Sequence, residues 1–419
     1  MIRYGLTRRI TTLEVHEEVK PVKKILSIML AAALLLSTAP ALAAKKEKND
    51  AGTKYTLDTT GAVVLQNIED RNITPNAGEL DVNPVIEGES PTTGMPYDTS
   101  ALYMPMLVQI SNPEGSEKVD GKKITSAGIG ERAPWGGQYA DIVYEGILYR
   151  SGQTRITFLY SDSLADGLPT SAGPVRSARI GHVLLREEWQ GGIVYAGGPR
   201  AEENNIAAMF AELGAGEKGV TFNLLDGKYQ DVKNRVKGVK APDNYNVNVA
   251  GIRALVPSTT IATPHPFLFT DVSPYTDGYE IAYNIGVDWG HKRYISSFLY
   301  DEANNLYLRY SNGAPYMTFA EANDRSEENE EQLAFSNVII QRVSYEYTNN
   351  SKIMPVMQSV GKGNADIFIG GRYIPGYWVR EAIETPTVFF DDKGNEIQLT
   401  RGKTFIAHLP PESLLTYSK

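Results

Sequence analysis

Asp141-Ile142-Val143-Tyr144-Glu145-Gly146-Ile147-Leu148-Tyr149 opens the stretch on which the fold turns. Apolar and β-branched residues dominate it, which predicts a strand. Ser151-Gly152-Gln153 turns the chain and residues 154–160 return, so the pair predicts a β-hairpin. A loop then leads to Pro174, suited to a first helical position, and predicts a helix over 175–190 that Gly191-Gly192 stops. Ile193-Val194-Tyr195-Ala196 is a short apolar strand. Residues 201–213 carry Ile206, Met209, Phe210 and Leu213 at helical spacing. Strands and helices mix without regular strand–helix–strand alternation, which predicts an α+β fold.

Working outward, residues 106–110 read as a strand and 128–138 as a glycine-rich loop. Residues 226–248 are polar and irregular. From Tyr279 the pattern turns mostly to β, with hairpins predicted across 293–310, 367–374 and 388–399, a long strand over 335–347 and a last strand at 405–408. A chain of 419 residues exceeds one ordinary core. Two domains are expected, a mixed α/β domain over 101–240 and a β-rich domain over 280–413, joined by a connector at 241–279. Residues 44–100 are rich in Lys, Asp, Asn, Thr, Gly and Pro and predict a flexible tether with a short strand near 62–65.

The N-terminus reads as an address. Lys23-Lys24, an apolar run over 25–36 and Ala41-Leu42-Ala43 follow the basic, apolar, small-residue order of a secretory signal peptide over 1–43, cut after Ala43. The apolar run is shorter than the roughly 20 residues a membrane span needs, so no retained transmembrane helix is expected. The mixed charges before Pro21 suggest an over-long start, with translation beginning at Val22 and not Met1. An extracytoplasmic protein, secreted or associated with the cell envelope, follows.

With 41 basic and 50 acidic side chains the formal net charge is −9, which repels a phosphate backbone and excludes a general nucleic-acid grip. There is no cysteine, so disulfides, thiolate chemistry and lipid attachment through an N-terminal cysteine are excluded. The usual hydrolase, metalloprotease, nucleotide and dinucleotide signatures are missing. The Ser-x-x-Lys at Ser359–Lys362 sits in a glycine-rich turn. His182, His265, His291 and His408 are widely spaced, make no metal signature and read as structural or surface residues. No cofactor and no metal is expected.

The unusual element is Ser171-Ala172-Gly173-Pro174-Val175-Arg176-Ser177-Ala178-Arg179. On the predicted helix Arg176 and Arg179 are i,i+3 neighbours in the first turns, where free N–H groups favour an anion and two guanidiniums add bidentate donors. The competing reading pairs them internally with Asp141 or Glu145, because an unpaired buried charge is costly. Position places Arg176 nearer the open end and Arg179 deeper. Gly197-Gly198 permits a close backbone approach or simply turns the chain.

These motifs together resemble the YerB-like DUF3048 family. The resemblance rests on Asp141–Glu145, Gly173–Arg179, Ala196-Gly197-Gly198, Asn337-Val338-Ile339-Ile340-Gln341, Asp392–Ile397 and Arg401-Gly402-Lys403-Thr404, and covers about residues 100–412. It implies two family domains in an extracytoplasmic protein, often a lipoprotein, chiefly of Gram-positive bacteria, with no established activity and no assigned catalytic residues. This chain departs from the family pattern. It lacks a lipobox cysteine, Asp243 and Tyr316 stand where the family commonly has histidine, and Pro199 stands where it often has serine. The expected function is a non-catalytic binding module for an unknown envelope ligand or protein. Its candidate arginine-based anion or carboxylate site comprises Arg176, Arg179, Glu145, Asp141, Gly197 and Gly198. The alternative is an envelope-acting hydrolase using Glu145 or Asp141 as acid/base.

Overall fold

The structure, a computed structural model, describes residues 60–97, 102–161, 167–201, 204–347 and 354–419. The predicted leader over 1–43 and the tether's residues 44–59 and 98–100 lie outside them.

The chain is β-rich and built on two large sheets. Five strands and one helix carry the argument: β1 (Met106–Ser111), β2 (Ile142–Ile147), β3 (Thr154–Tyr160), α1 (Ile180–Trp189), β4 (Asn337–Arg342) and β5 (Thr404–Leu409). They belong to an eleven-stranded sheet whose centre runs β4-β5-β2-β3-β1. Beyond β4 lie Gly361–Ile369 and Arg372–Arg380; beyond β1 lie Gly192–Tyr195 and Thr221–Asn223. β5 pairs parallel to both β4 and β2, while β2-β3 and β3-β1 are antiparallel. The seam between the expected first and second domains therefore falls inside one continuous sheet. A seven-stranded sheet includes Asn284–His291, Tyr294–Asp301, Leu306–Ser311 and Leu415–Ser418.

Alternation along the central strands sorts their side chains. Leu107, Ile142, Tyr144, Leu159, Ile339 and Ile406 pack with Leu185 and Trp189 of α1. Val143, Ile156, Phe158, Ile340 and Phe405 point the other way, into a core shared with Phe298, Tyr307 and Phe335. Phe405 lies 4.8 Å from Phe298 and 5.4 Å from Phe335, ring to ring, and joins the two sheets.

The 141–149 strand, the 154–160 return and the later hairpins form close to the predicted positions. Helix is scarcer than a mixed α/β first domain implies. Among the described residues the α-helices are α1, Ile206–Glu212 and Val249–Arg253, and none is long and apolar enough to cross a membrane. The helix predicted over 175–190 begins only at Ile180. Val175, Arg176 and Ala178 donate their N–H groups to the carbonyls of Tyr245, Gln109 and Gly197, so neighbouring chain segments hold 175–178 extended.

The larger departure is the segment 60–97, expected to be a flexible tether. Val63–Leu65 pairs with Leu415–Ser418 at the edge of the second sheet. Arg71 donates to the carbonyls of Ala365 (2.6 Å) and Gly376 (2.9 Å) and to buried Asp366 (2.6 Å). Asn83 Nδ2 donates to Glu396 Oε1 at 2.7 Å, and buried Thr92 donates to Asp141 Oδ2 at 2.6 Å. This strap is held largely by polar anchors to the body; Leu65 and Tyr97 pack on the core, but most of its large apolar side chains stay exposed, which is why its composition reads as disorder. The expected connector 241–279 likewise contains the helix Val249–Arg253 and the strand Leu268–Thr270, paired with Gln398–Thr400.

Candidate anion-binding site

One row of residues crosses the central sheet in register: Ser111 of β1, Arg155 of β3, Gly146 of β2, His408 of β5 and Gln341 of β4. Residues directly opposite in a ladder share a face, so this row is polar on the side that α1 covers. Gly146 interrupts it. A Cβ there would stand 3.1 Å from the Tyr345 hydroxyl and 3.6 Å from His408 Cβ, so the missing side chain opens a gap in the row. The gap is part of a small cleft partly open to solvent, lined by Tyr144, Arg155, Thr157, Arg179, His182, Tyr345, Met357 and His408 among others.

Arg155 is the decisive member. It is 4 % exposed, and its Nε and Nη1 find no hydrogen-bond partner among the described residues. Burial, and then the neighbouring Arg179 and Arg176 guanidiniums, bring its pKa down to about 9, so it remains charged near neutrality. A buried cation without a carboxylate costs several kcal/mol unless something absent from the chain compensates it. Arg179 stands beside it, lowered first by burial, with its guanidinium 5.8 Å from the Tyr149 ring centre and its Nε also unpartnered.

The two histidines at the cleft are neutral. Burial, then Arg155 and Arg179, push His182 well below the usual histidine range, and burial followed by Arg380 brings His408 to about 3. Arg179 is the N-cap of α1, and its backbone N–H donates to His182 Nδ1 at 2.9 Å. That bond leaves the His182 ring proton on Nε2. Thr157 turns its hydroxyl proton to Gln109 Oε1 at 2.8 Å. The cleft thus presents cationic and neutral donors, and none of its lining residues is a carboxylate.

The predicted site residues separate. Arg176 is the internally paired arginine, with its Nε 3.3 Å from Asp243 Oδ1. Arg179, expected to be the deeper, structural one, lines the cleft. Neither meets Asp141 or Glu145. Glu145 sits on the opposite face, 1 % exposed, and accepts from Arg309 (2.7 Å), Ser296 (2.9 Å), Thr154 (2.6 Å) and Asn112 (3.2 Å). Asp141 precedes β2, where it accepts from Thr92 and from the Ser161 N–H at 3.0 Å, and burial raises its pKa. Gly197, with φ of 78°, turns the chain and accepts from Ala178 N–H. A Cβ on Gly198 would strike Ile206, so that glycine serves packing. Arg155 was not singled out from the sequence, and His182 and His408 were read there as structural or surface histidines. The available signal was a charged residue inside an otherwise apolar returning strand, facing the same side as Thr157 and Leu159.

A β-rich, two-sheet protein with a donor-lined cleft behind its central strands is the class that these features define. The chain belongs to the DUF3048 family, proteins of unknown function, with residues 128–262 matching its N-terminal domain and 285–406 its C-terminal domain. Its fold is similar to the crystal structure of the YerB protein from Bacillus subtilis, at 22% sequence identity and a TM-score of 0.58, covering 79% of this chain and 99% of that one. No curated protein matches the chain.

Proposed function

We propose that the protein is a secreted or cell-envelope binding module, without a catalytic step, that takes an anionic group in the cleft between Arg155, Arg179 and His182. The observation that carries this reading is the buried Arg155 guanidinium with two unpartnered donors and no acid of its own. Arg–oxyanion pairs are bidentate and strong where water is excluded, so an arriving anion relieves the uncompensated charge. The extracytoplasmic address rests on the leader pattern at 23–43.

The hydrolase alternative draws support from the raised Asp141 carboxyl. Against it, Thr92 covers Asp141 and Arg309 occupies Glu145, and neither acid lines the cleft.

Arg155→Met tests the reading. Removing an uncompensated buried charge leaves stability unchanged or raises it. Sulfate should raise the melting temperature of the wild type and have no such effect on the variant. Strong destabilisation by Arg155→Met, with equal sulfate effects on both proteins, would show that the arginine serves the fold alone.

A further inference from the structure

We infer that the group taken by this cleft carries two negative charges on one compact centre, as a phosphomonoester does. The inference rests on the anion-site reading and adds the charge and chemical class of the ligand.

The charges around the cleft do not balance. β3 contributes Arg155; the extended segment before α1 contributes Arg176 and Arg179; α1 and β5 contribute His182 and His408, both neutral. The nearby phenols are Tyr144, Tyr149 and Tyr345. Asp243 is the neighbouring carboxylate, and it is committed elsewhere. Its Oδ1 lies against Arg176 and accepts from Ser111 Oγ at 2.7 Å, and its Oδ2 lies 3.8 Å from Arg132. Among the described residues two guanidiniums, Arg155 and Arg179, therefore remain without a carboxylate of their own. A monoanion would leave one of them uncompensated in a buried site; a dianion matches both.

Shape agrees with charge. The unpartnered donors are Arg155 Nε and Nη1 and Arg179 Nε, and His182, with its ring proton on Nε2, lines the same cleft; such a set suits the several oxygens of a phosphoryl group. Leu185, Pro355 and Met357 supply an apolar wall for the carbon side of an ester.

Titration calorimetry on the full chain tests this with methyl phosphate, dimethyl phosphate, sulfate and malonate at pH 5.0 and 7.5. A phosphomonoester loses its second proton near pH 6, so its dianion fraction rises about tenfold across this interval. Arg155 keeps its charge throughout. Methyl phosphate should bind about tenfold more tightly at pH 7.5 than at 5.0. Sulfate, doubly charged at both, should show no change, and dimethyl phosphate, singly charged at both, should be much weaker than methyl phosphate at pH 7.5. Malonate binding as tightly as methyl phosphate would uphold the double charge and overturn the phosphoryl assignment. Dimethyl phosphate matching methyl phosphate at pH 7.5 would overturn the double charge while the anion site stands. If none of the four binds, the anion site itself falls and this inference with it.

Discussion

Gly146 and His408 stand opposite each other in the parallel pairing of β2 with β5, and the absent side chain of one leaves the imidazole of the other open to the cleft. Filling that gap should close the site while leaving both guanidiniums in place. Gly146→Val is expected to weaken sulfate binding at least as much as Arg179→Met does, with near-native far-UV circular dichroism. Undiminished binding to Gly146→Val would place the anion elsewhere.

Glu145 and Arg309 form an ion pair in which both side chains are 1 % exposed. Removing one partner strands the other in the core. Glu145→Ala should therefore lower unfolding free energy by about 3–5 kcal/mol. Denaturant titration measures it, and sulfate affinity per folded molecule should not change, because Glu145 lies on the other face.

His408 makes stability depend on acid. Its folded pKa of about 3 lies below the ordinary 6.5, so the unfolded chain binds the extra proton. The associated stability is fully present above pH 6.5 and is lost as pH falls from there toward 3. The loss from this residue approaches about 1.4 kcal/mol per pH unit. His408→Gln should flatten the fall in stability between pH 6 and 4 relative to wild type. Parallel curves for the two proteins would contradict the assignment.

The strap yields a prediction about proteolysis. Arg71→Ala removes four hydrogen bonds to Ala365, Gly376, Asp366 and Tyr373, although Asp366 keeps Arg342 at 3.0 Å. The expected cost is about 1.5–3 kcal/mol, the range for hydrogen bonds to a charged group. Cleavage within 72–97 should accelerate in the variant, while the wild-type strap resists at protease levels that cut an unstructured tether. Equal rates would mean that Arg71 does not hold it.

For the leader, protein recovered from outside the cell should begin at Ala44. N-terminal sequencing checks this, and an intact Met1 or Val22 would refute it.

The elements around 141–160 were legible because runs of β-branched and aromatic residues, broken by Ser151-Gly152, are a local signal. Pro174 misled for a physical reason. The N–H groups of Val175 and Arg176, which a helix would have left free, are taken by Tyr245 and Gln109, partners far away in the chain. Arg176 and Arg179 were singled out by residue type, but the internal pairing expected of Arg179 falls on Arg176, since only the fold brings Asp243 to it. Arg155 needed the sheet. Nothing in the run 154–160 says that its neighbours across the ladder are a serine and a glycine.

β5, almost the last strand in the sequence, occupies the middle of the large sheet, between β4 and β2. A chain made from its N-terminus onward cannot bring these two together until residue 409 has emerged. Until then β2 carries an unpaired edge, with Tyr144 and Glu145 awaiting partners on either face. Such an edge invites pairing with another chain, and long-range parallel pairing is slow to form. The half that bears the cleft is therefore a half-built object until that strand has been made. A truncation that removes only the final fifteen residues would leave it so permanently.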